Sequence, residues 1–148
     1  MQFVLWIHIL AAASWFGGGV ATQIGGQIFA AEPESSRAGW YRLVLRLGQI
    51  LYTPAAVIVL ISGILLVTGN EAYGFDATFV SIGFLSVIVG AGLGMAVYGP
   101  RSRAASAALE SGDAGAASSA IARIRQAGLL ELALLAVTIA SMVWKWGI

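Results

Sequence analysis

Residues 46–67 read RLGQILYTPAAVIVLISGILLV, and no charged side chain follows Arg46 in this run. From residue 55 onward only Ser62 and Gly63 interrupt the alanine, valine, isoleucine and leucine side chains. About 20 helical residues cross the ~30 Å hydrocarbon core of a bilayer, so the run predicts a membrane-spanning helix. Pro54 removes a backbone hydrogen bond near the start of the apolar part and predicts a kink there.

The rest of the chain has the same apolar character. Of its 148 residues, 59% are hydrophobic and 10% are charged, whereas about a quarter of an ordinary soluble domain is charged. Apolar blocks at about 3–29, 43–68, 78–98 and 121–146 predict four spans, which must be helical because lipid offers no partner for backbone polar groups. We therefore predict an all-α integral membrane four-helix bundle with antiparallel up-down topology, a single domain covering residues 1–148.

The charged residues of the connections are distributed asymmetrically. The second connection holds Glu71 and Asp76, whereas arginines border the first and third. The positive-inside rule then predicts a multi-pass plasma membrane protein with the arginine-rich loops in the cytoplasm and both termini outside. The arginines lack interleaved aromatic residues, so the expected partner is the lipid bilayer and not nucleic acid. They are Arg37, Arg42, Arg46, Arg101, Arg103, Arg123 and Arg125.

Two predicted spans carry small residues at a spacing of four, which allows helices to approach closely in lipid. A four-helix unit must first satisfy its own interfaces, which favours contacts inside the bundle. The alternative is a seam for a homodimer or for a membrane protein complex. The stripes are Ser14, Gly18, Thr22 and Gly26 in the first span, and Ser86, Gly90 and Gly94 in the third.

Glu131 lies about two helical turns beyond Arg123, inside the fourth predicted span. A lone carboxylate is costly at that depth, and Arg46 is expected at a similar depth in the second span. The sequence therefore predicts a buried Glu131–Arg46 ion pair that fixes helix register. A proton or ion relay is the alternative, but it would need further titratable groups deeper in the membrane.

Several motifs occur in an order that resembles a known family. These are His8 followed by Trp15, the run of residues 46–67, Gly99-Pro100 after the third span, and SMVWK near the end. The order resembles the small integral membrane proteins of domain of unknown function 2269, relatives of the CopD and HemJ membrane families. The resemblance implies a four-helix fold and, through those relatives, haem or copper. The lysine that HemJ-type proteins place near the histidine is absent here, which argues against protoporphyrinogen oxidation.

His8 is the chain's single histidine and lies in the first predicted span. It shares a helix face with Ala11, Ala12 and Trp15, which leaves a flat recess for a haem b macrocycle. Met142 returns to a similar depth in the fourth span and would supply a second axial or metal ligand. A five-coordinate site, or two His8 side chains across a dimer, would also serve. Alternatively, His8 bonds only to water, Ser141 or a backbone carbonyl near the headgroups.

Three functions stay open at this stage. The first is b-type haem binding with a redox role, with copper handling as a variant because Cu(I) accepts imidazole and thioether ligands. The second is a non-catalytic accessory subunit or assembly factor, which fits the lack of a nucleophile–base pair or phosphate loop in the sequence. The third is a transporter, which would require polar residues near the middle of the spans. The sequence does not decide whether the protein is an enzyme.

Overall fold

The computed structural model describes residues 1–147, and this range folds entirely into helices and their connections. Four helices are long and apolar enough to cross a membrane: Gln2–Phe29, Glu34–Thr68, Thr78–Ser111 and Ala114–Trp144. The prediction of an all-α membrane four-helix bundle is confirmed. By segment they are α1 (Gln2–Phe29), α2 (Glu34–Leu47), α3 (Thr53–Thr68), α4 (Thr78–Leu93), α5 (Gly99–Ser111) and α6 (Ala114–Trp144).

A π-helical turn interrupts each of the two middle crossing helices. Gly48–Tyr52 joins α2 to α3, and Gly94–Tyr98 joins α4 to α5. Each turn is followed by a proline, Pro54 or Pro100, in the first turn of the next segment. A proline ring clashes with the carbonyl four residues earlier, and the wider π turn relieves that clash. The irregularity expected at Pro54 therefore takes the form of a π turn, and a second one occurs before Pro100.

The helices at the arginine-bearing end extend past the predicted spans. α2 begins at Glu34 and α6 at Ala114, and there α2 packs against the alanine-rich segments of α5 and α6. Gly112 adopts a left-handed conformation with φ of 74°, and the Asp113 side chain accepts a hydrogen bond from Ala116 N at 2.9 Å. A tight turn at these residues therefore joins α5 to α6. The buried cluster at this end comprises Ala38, Tyr41, Ala105, Ala108, Leu109, Ala117, Ala120 and Ile124.

At the other end, which holds both termini, the connection between α3 and α4 packs against the end of α6. Phe79 N donates a hydrogen bond to Trp146 O at 3.1 Å. Val67, Phe79 and Val80 form a small buried cluster against which Met142 packs. Large apolar side chains elsewhere point outward, such as Ile88 at 68% exposure, which suits a lipid-facing surface.

Most positions of the small-residue stripes contact other helices of the same chain, whereas a Cβ atom at Gly94 would meet nothing within 4 Å. A Cβ atom at Gly18 would lie 2.9 Å from Leu51 Cδ2, and the Thr22 hydroxyl lies 2.6 Å from the Tyr52 hydroxyl. On α4, the Ser86 hydroxyl lies 2.6 Å from that of Thr138 on α6. These positions therefore contribute to packing inside the bundle. A homodimer formed through the stripes stays a prediction.

Candidate functional site

Two cavities lie one after the other along the bundle. The His8 cavity, of about 350 Å³, extends toward the terminal end, where Tyr73 and Lys145 line it. The Glu131 cavity, of about 510 Å³, extends toward the arginine-bearing end, where Arg103 lines it. Most of the residues around both cavities are apolar. The walls of both include Trp15, Leu60 and Val87, so a thin layer of side chains separates them.

The His8 imidazole is held by a serine of the second crossing helix. His8 Nδ1 lies 2.9 Å from Ser62 Oγ, and the ring packs against Gly63, where a Cβ atom would lie 3.4 Å from His8 Cε1. Ser62 Oγ also donates to the backbone carbonyl of Ile58. A hydroxyl has one hydrogen, so for both bonds to form His8 must donate from Nδ1. That tautomer leaves Nε2 as an acceptor or a metal ligand.

Within residues 1–147, no side chain forms a hydrogen bond with Nε2 of His8, and the residue lines the His8 cavity. Ser141, an alternative partner expected from the sequence, donates to Thr138 O at 2.8 Å. The true partner, Ser62, was missed at the sequence level. Its signal was the Ser-Gly pair interrupting an otherwise apolar run.

Other residues predicted around the histidine separate into two groups. Ala12, Trp15 and Met142 line the His8 cavity together with His8, whereas Ala11 is buried and does not line it. Met142 reaches the cavity past Gly83 of α4, where a Cβ atom would lie 2.8 Å from Met142 Cε. The structure therefore brings the predicted imidazole and thioether to one cavity.

The described residues contain no group of three or more histidine, cysteine, aspartate or glutamate side chains that could hold a metal ion. A metal at the His8 cavity would take the His8 imidazole and the Met142 thioether as its protein ligands. Such a pair suits an axial role toward haem iron, or Cu(I). Two protein ligands are too few for a zinc site, which needs at least three.

Glu131 does not pair with Arg46, so the predicted buried ion pair is wrong. Trp15 Nε1 donates to Glu131 Oε1 at 3.1 Å, and the Tyr98 hydroxyl donates to Oε2 at 2.6 Å. Arg46 is exposed. The one salt bridge found within residues 1–147 joins Arg42 to Glu110, and both side chains are more than half exposed. The sequence-level estimate failed because residues on different helices were matched by depth alone.

Glu131 lies at the same level of the bundle as Trp15. Trp15 is at the middle of α1 (Gln2–Phe29), and its hydrogen bond to Glu131 puts the carboxyl group at that level. Glu131 is 17 residues from the start of α6 (Ala114–Trp144) and 13 from its end, so it lies near the middle of that helix. One ionisable group therefore lies near the middle of the bundle.

The two π turns supply the aromatic hydroxyls of the Glu131 cavity. Tyr52 ends one turn and Tyr98 ends the other, and both line the cavity. On the facing α4, Gly90 leaves the space that the Trp15 ring and Glu131 occupy. A Cβ atom there would meet the Trp15 ring and lie 3.1 Å from Glu131 Oε1. π turns occur often at functional sites, and here each one borders the cavity that holds the buried carboxyl group.

No protein-family model, curated protein or solved structure matches this chain.

Proposed function

We propose that this multi-pass membrane protein binds b-type haem in a redox role, with His8 Nε2 as an axial ligand. The hydrogen bond between His8 Nδ1 and Ser62 Oγ, at 2.9 Å, carries the proposal. Metal-ligating histidines almost always donate their second ring N–H to an oxygen, which fixes the tautomer and the ring orientation. Ser62 offers such an oxygen, and its own hydrogen is already donated to Ile58 O.

The donors around the His8 cavity suit a haem held without thioether bonds, because the chain contains no cysteine. Met142 lines the same cavity and would be the second axial ligand, and Trp15 would flank the macrocycle. A volume of about 350 Å³ is at the small end of ligand sites, which span about 300–1,000 Å³. The edge of a macrocycle would therefore reach past the cavity walls. When bound, haem iron would supply one-electron chemistry.

The test is an absorption spectrum of the detergent-purified protein, reconstituted with haem and then reduced. We expect a Soret band that disappears in His8→Ala and shifts in Met142→Leu, because each change removes one axial donor. Met95→Leu is the matched control, since Met95 is 77% exposed and should leave the spectrum unchanged. Absence of the band after reconstitution of the folded wild-type protein would overturn haem binding.

Copper is the second candidate because His8 and Met142 line one cavity, and Cu(I) accepts both donors. A Cu(I) competition assay with a chromophoric chelator separates the two cofactors. Copper predicts tight Cu(I) retention that both His8→Ala and Met142→Leu weaken, with no Soret band. A colourless, metal-free protein that co-purifies with a stable membrane complex would instead favour an accessory subunit.

For orientation, we propose that the arginine-bearing end faces the cytoplasm and both termini lie outside the plasma membrane. The positive-inside rule supports this choice. The absence of cysteine allows single-cysteine labelling without background. Asn70→Cys should react with an impermeant maleimide on intact cells, and Ser111→Cys should react only after lysis. The opposite labelling pattern would reverse the orientation.

A further inference from the structure

The Glu131 cavity combines a carboxyl group, aromatic rings and an apolar wall at mid-depth in the bundle. Trp15 and Tyr98 each donate one hydrogen bond to Glu131, which satisfies one acceptor position on each oxygen. An indole N–H can only donate, so this pair of bonds suits the ionised carboxylate. These donors satisfy hydrogen bonding but bring no positive charge.

The charge of Glu131 has no cationic partner within residues 1–147, where the salt bridge formed is the surface pair of Arg42 and Glu110. Arg103 lines the same cavity but is exposed. It lies five residues beyond Tyr98, roughly 7.5 Å further along the helix axis. Carboxylates within membrane spans pair with other groups or mark binding pathways. The described chain therefore leaves the position beside the carboxylate open to a cation from outside.

The walls of the cavity decide which kind of cation fits. A bare metal ion prefers several oxygen ligands, and residues 1–147 offer no cluster of three acidic or metal-binding side chains. A volume of about 510 Å³ is in the range typical of sites for small organic ligands. Trp15, Tyr52 and Tyr98 line it, and aromatic rings attract organic cations through their π faces.

We propose that the Glu131 cavity binds a lipophilic organic cation, an amine or quaternary onium compound, with Glu131 as the counter-ion. The apolar wall takes the hydrophobic body of the ligand, and the carboxylate and aromatic rings take its charge. The π turns before Pro54 and Pro100 bring Tyr52 and Tyr98 to this cavity. The site is separate from the His8 cavity and involves no redox step.

The experiment compares two probes of nearly equal shape on the wild-type protein in detergent. Equilibrium dialysis measures binding of methyltriphenylphosphonium and of its neutral carbon isostere, 1,1,1-triphenylethane, with empty micelles as the blank. We expect the cation to bind well above the blank and more tightly than the neutral probe. Equal binding of the two probes, or no cation binding above empty micelles, would overturn the proposal without any variant being needed.

Glu131→Gln then tests the named counter-ion. We expect it to weaken cation binding by about thirtyfold or more, the usual loss when one partner of a buried charge pair is removed. Glu71→Gln is the matched control, because Glu71 is an exposed acid in the connection between α3 and α4, and it should bind like the wild type. Circular dichroism and gel filtration establish that the variants are folded. A folded Glu131→Gln that binds the cation normally would contradict the proposal.

Discussion

The two cavities differ in how the bundle holds the polar group inside each one. His8 is held by Ser62, whose neighbours form a regular stretch of α3. Glu131 is held by Tyr98, which ends a π turn, and by Trp15 at the middle of α1. In a regular helix, the sequence periodicity predicts the position of a polar side chain to within about one turn. The Glu131 cavity instead depends on two irregular turns and on a glycine that leaves room for an indole.

This difference predicts that the Glu131 half of the molecule is the more sensitive to added volume. Gly90→Ala puts a Cβ atom against the Trp15 ring and 3.1 Å from Glu131 Oε1. We expect a loss of about 1–3 kcal/mol in the free energy of unfolding, measured by titration with a denaturing detergent. Gly92→Ala on the same helix meets nothing within 4 Å and should be neutral or up to about 1 kcal/mol more stable. Equal stability of the two variants would show that the space at Gly90 is no more sensitive to added volume than an open position of the same helix.

The next effect in size concerns the hydrogen bonds to the carboxyl group. Tyr98→Phe removes the 2.6 Å bond to Glu131 Oε2, and we expect it to cost about 1–2 kcal/mol of unfolding free energy. Tyr41→Phe is the control, because the Tyr41 hydroxyl makes no hydrogen bond within the described part of the chain, although the ring is buried. If both variants lost the same stability, the Tyr98 hydroxyl would have no special role.

A smaller loss of stability is expected in the His8 half. Ser62→Ala removes the oxygen bonded to His8 Nδ1, and the cost in unfolding free energy should be under about 1 kcal/mol. The sharper readout is the histidine tautomer, because nitrogen-15 labelling of this single-histidine chain gives one imidazole signal pair. The wild type should show a protonated Nδ1, and Ser62→Ala should lose that preference.

Ser14→Ala is the matched control for that experiment. Ser14 also donates to its own helix, at Leu10 O over 2.8 Å, and no hydrogen bond joins it to His8 in residues 1–147. Its replacement should leave the imidazole signals unchanged. An unaltered tautomer in Ser62→Ala would show that another group orients His8.

The smallest effect is expected at the surface of the arginine-bearing end. Arg42 and Glu110 form a salt bridge with side chains 54% and 56% exposed, and such pairs contribute about 0.5 kcal/mol or less. Arg42→Gln should therefore change the unfolding free energy by no more than that, and the difference should shrink at high salt. A loss as large as that of Tyr98→Phe would mean that this half depends on its surface as much as on its interior.

Much of the architecture was predictable because a bilayer imposes simple rules on a sequence. Four apolar blocks gave four helices, and Pro54 marked an irregular turn. Met142 and His8, expected at similar depths, both line one cavity near the terminal end, where the predicted and observed helix limits differ little.

The partners of Glu131 could not be predicted by the same rules. Depth matching assumes regular helices with known ends, but the π turn at Gly94–Tyr98 shifts the register of Tyr98, and α6 begins seven residues earlier than the predicted 121. Arg46 had the right charge and a plausible depth, but it is exposed. The π turn at Tyr98 and the packing of Trp15 into the gap at Gly90 together determine which donors reach the carboxyl group.

The position of Trp15 has a consequence for both halves at once. The indole N–H of Trp15 donates a hydrogen bond to Glu131. The same ring is also part of the wall between the His8 cavity and the Glu131 cavity. Neutralising the Glu131 carboxylate weakens the hydrogen bond that holds the Trp15 ring in this wall. A change in the charge of Glu131 would then alter the surroundings of the His8 imidazole through the Trp15 side chain, without any movement of the helices.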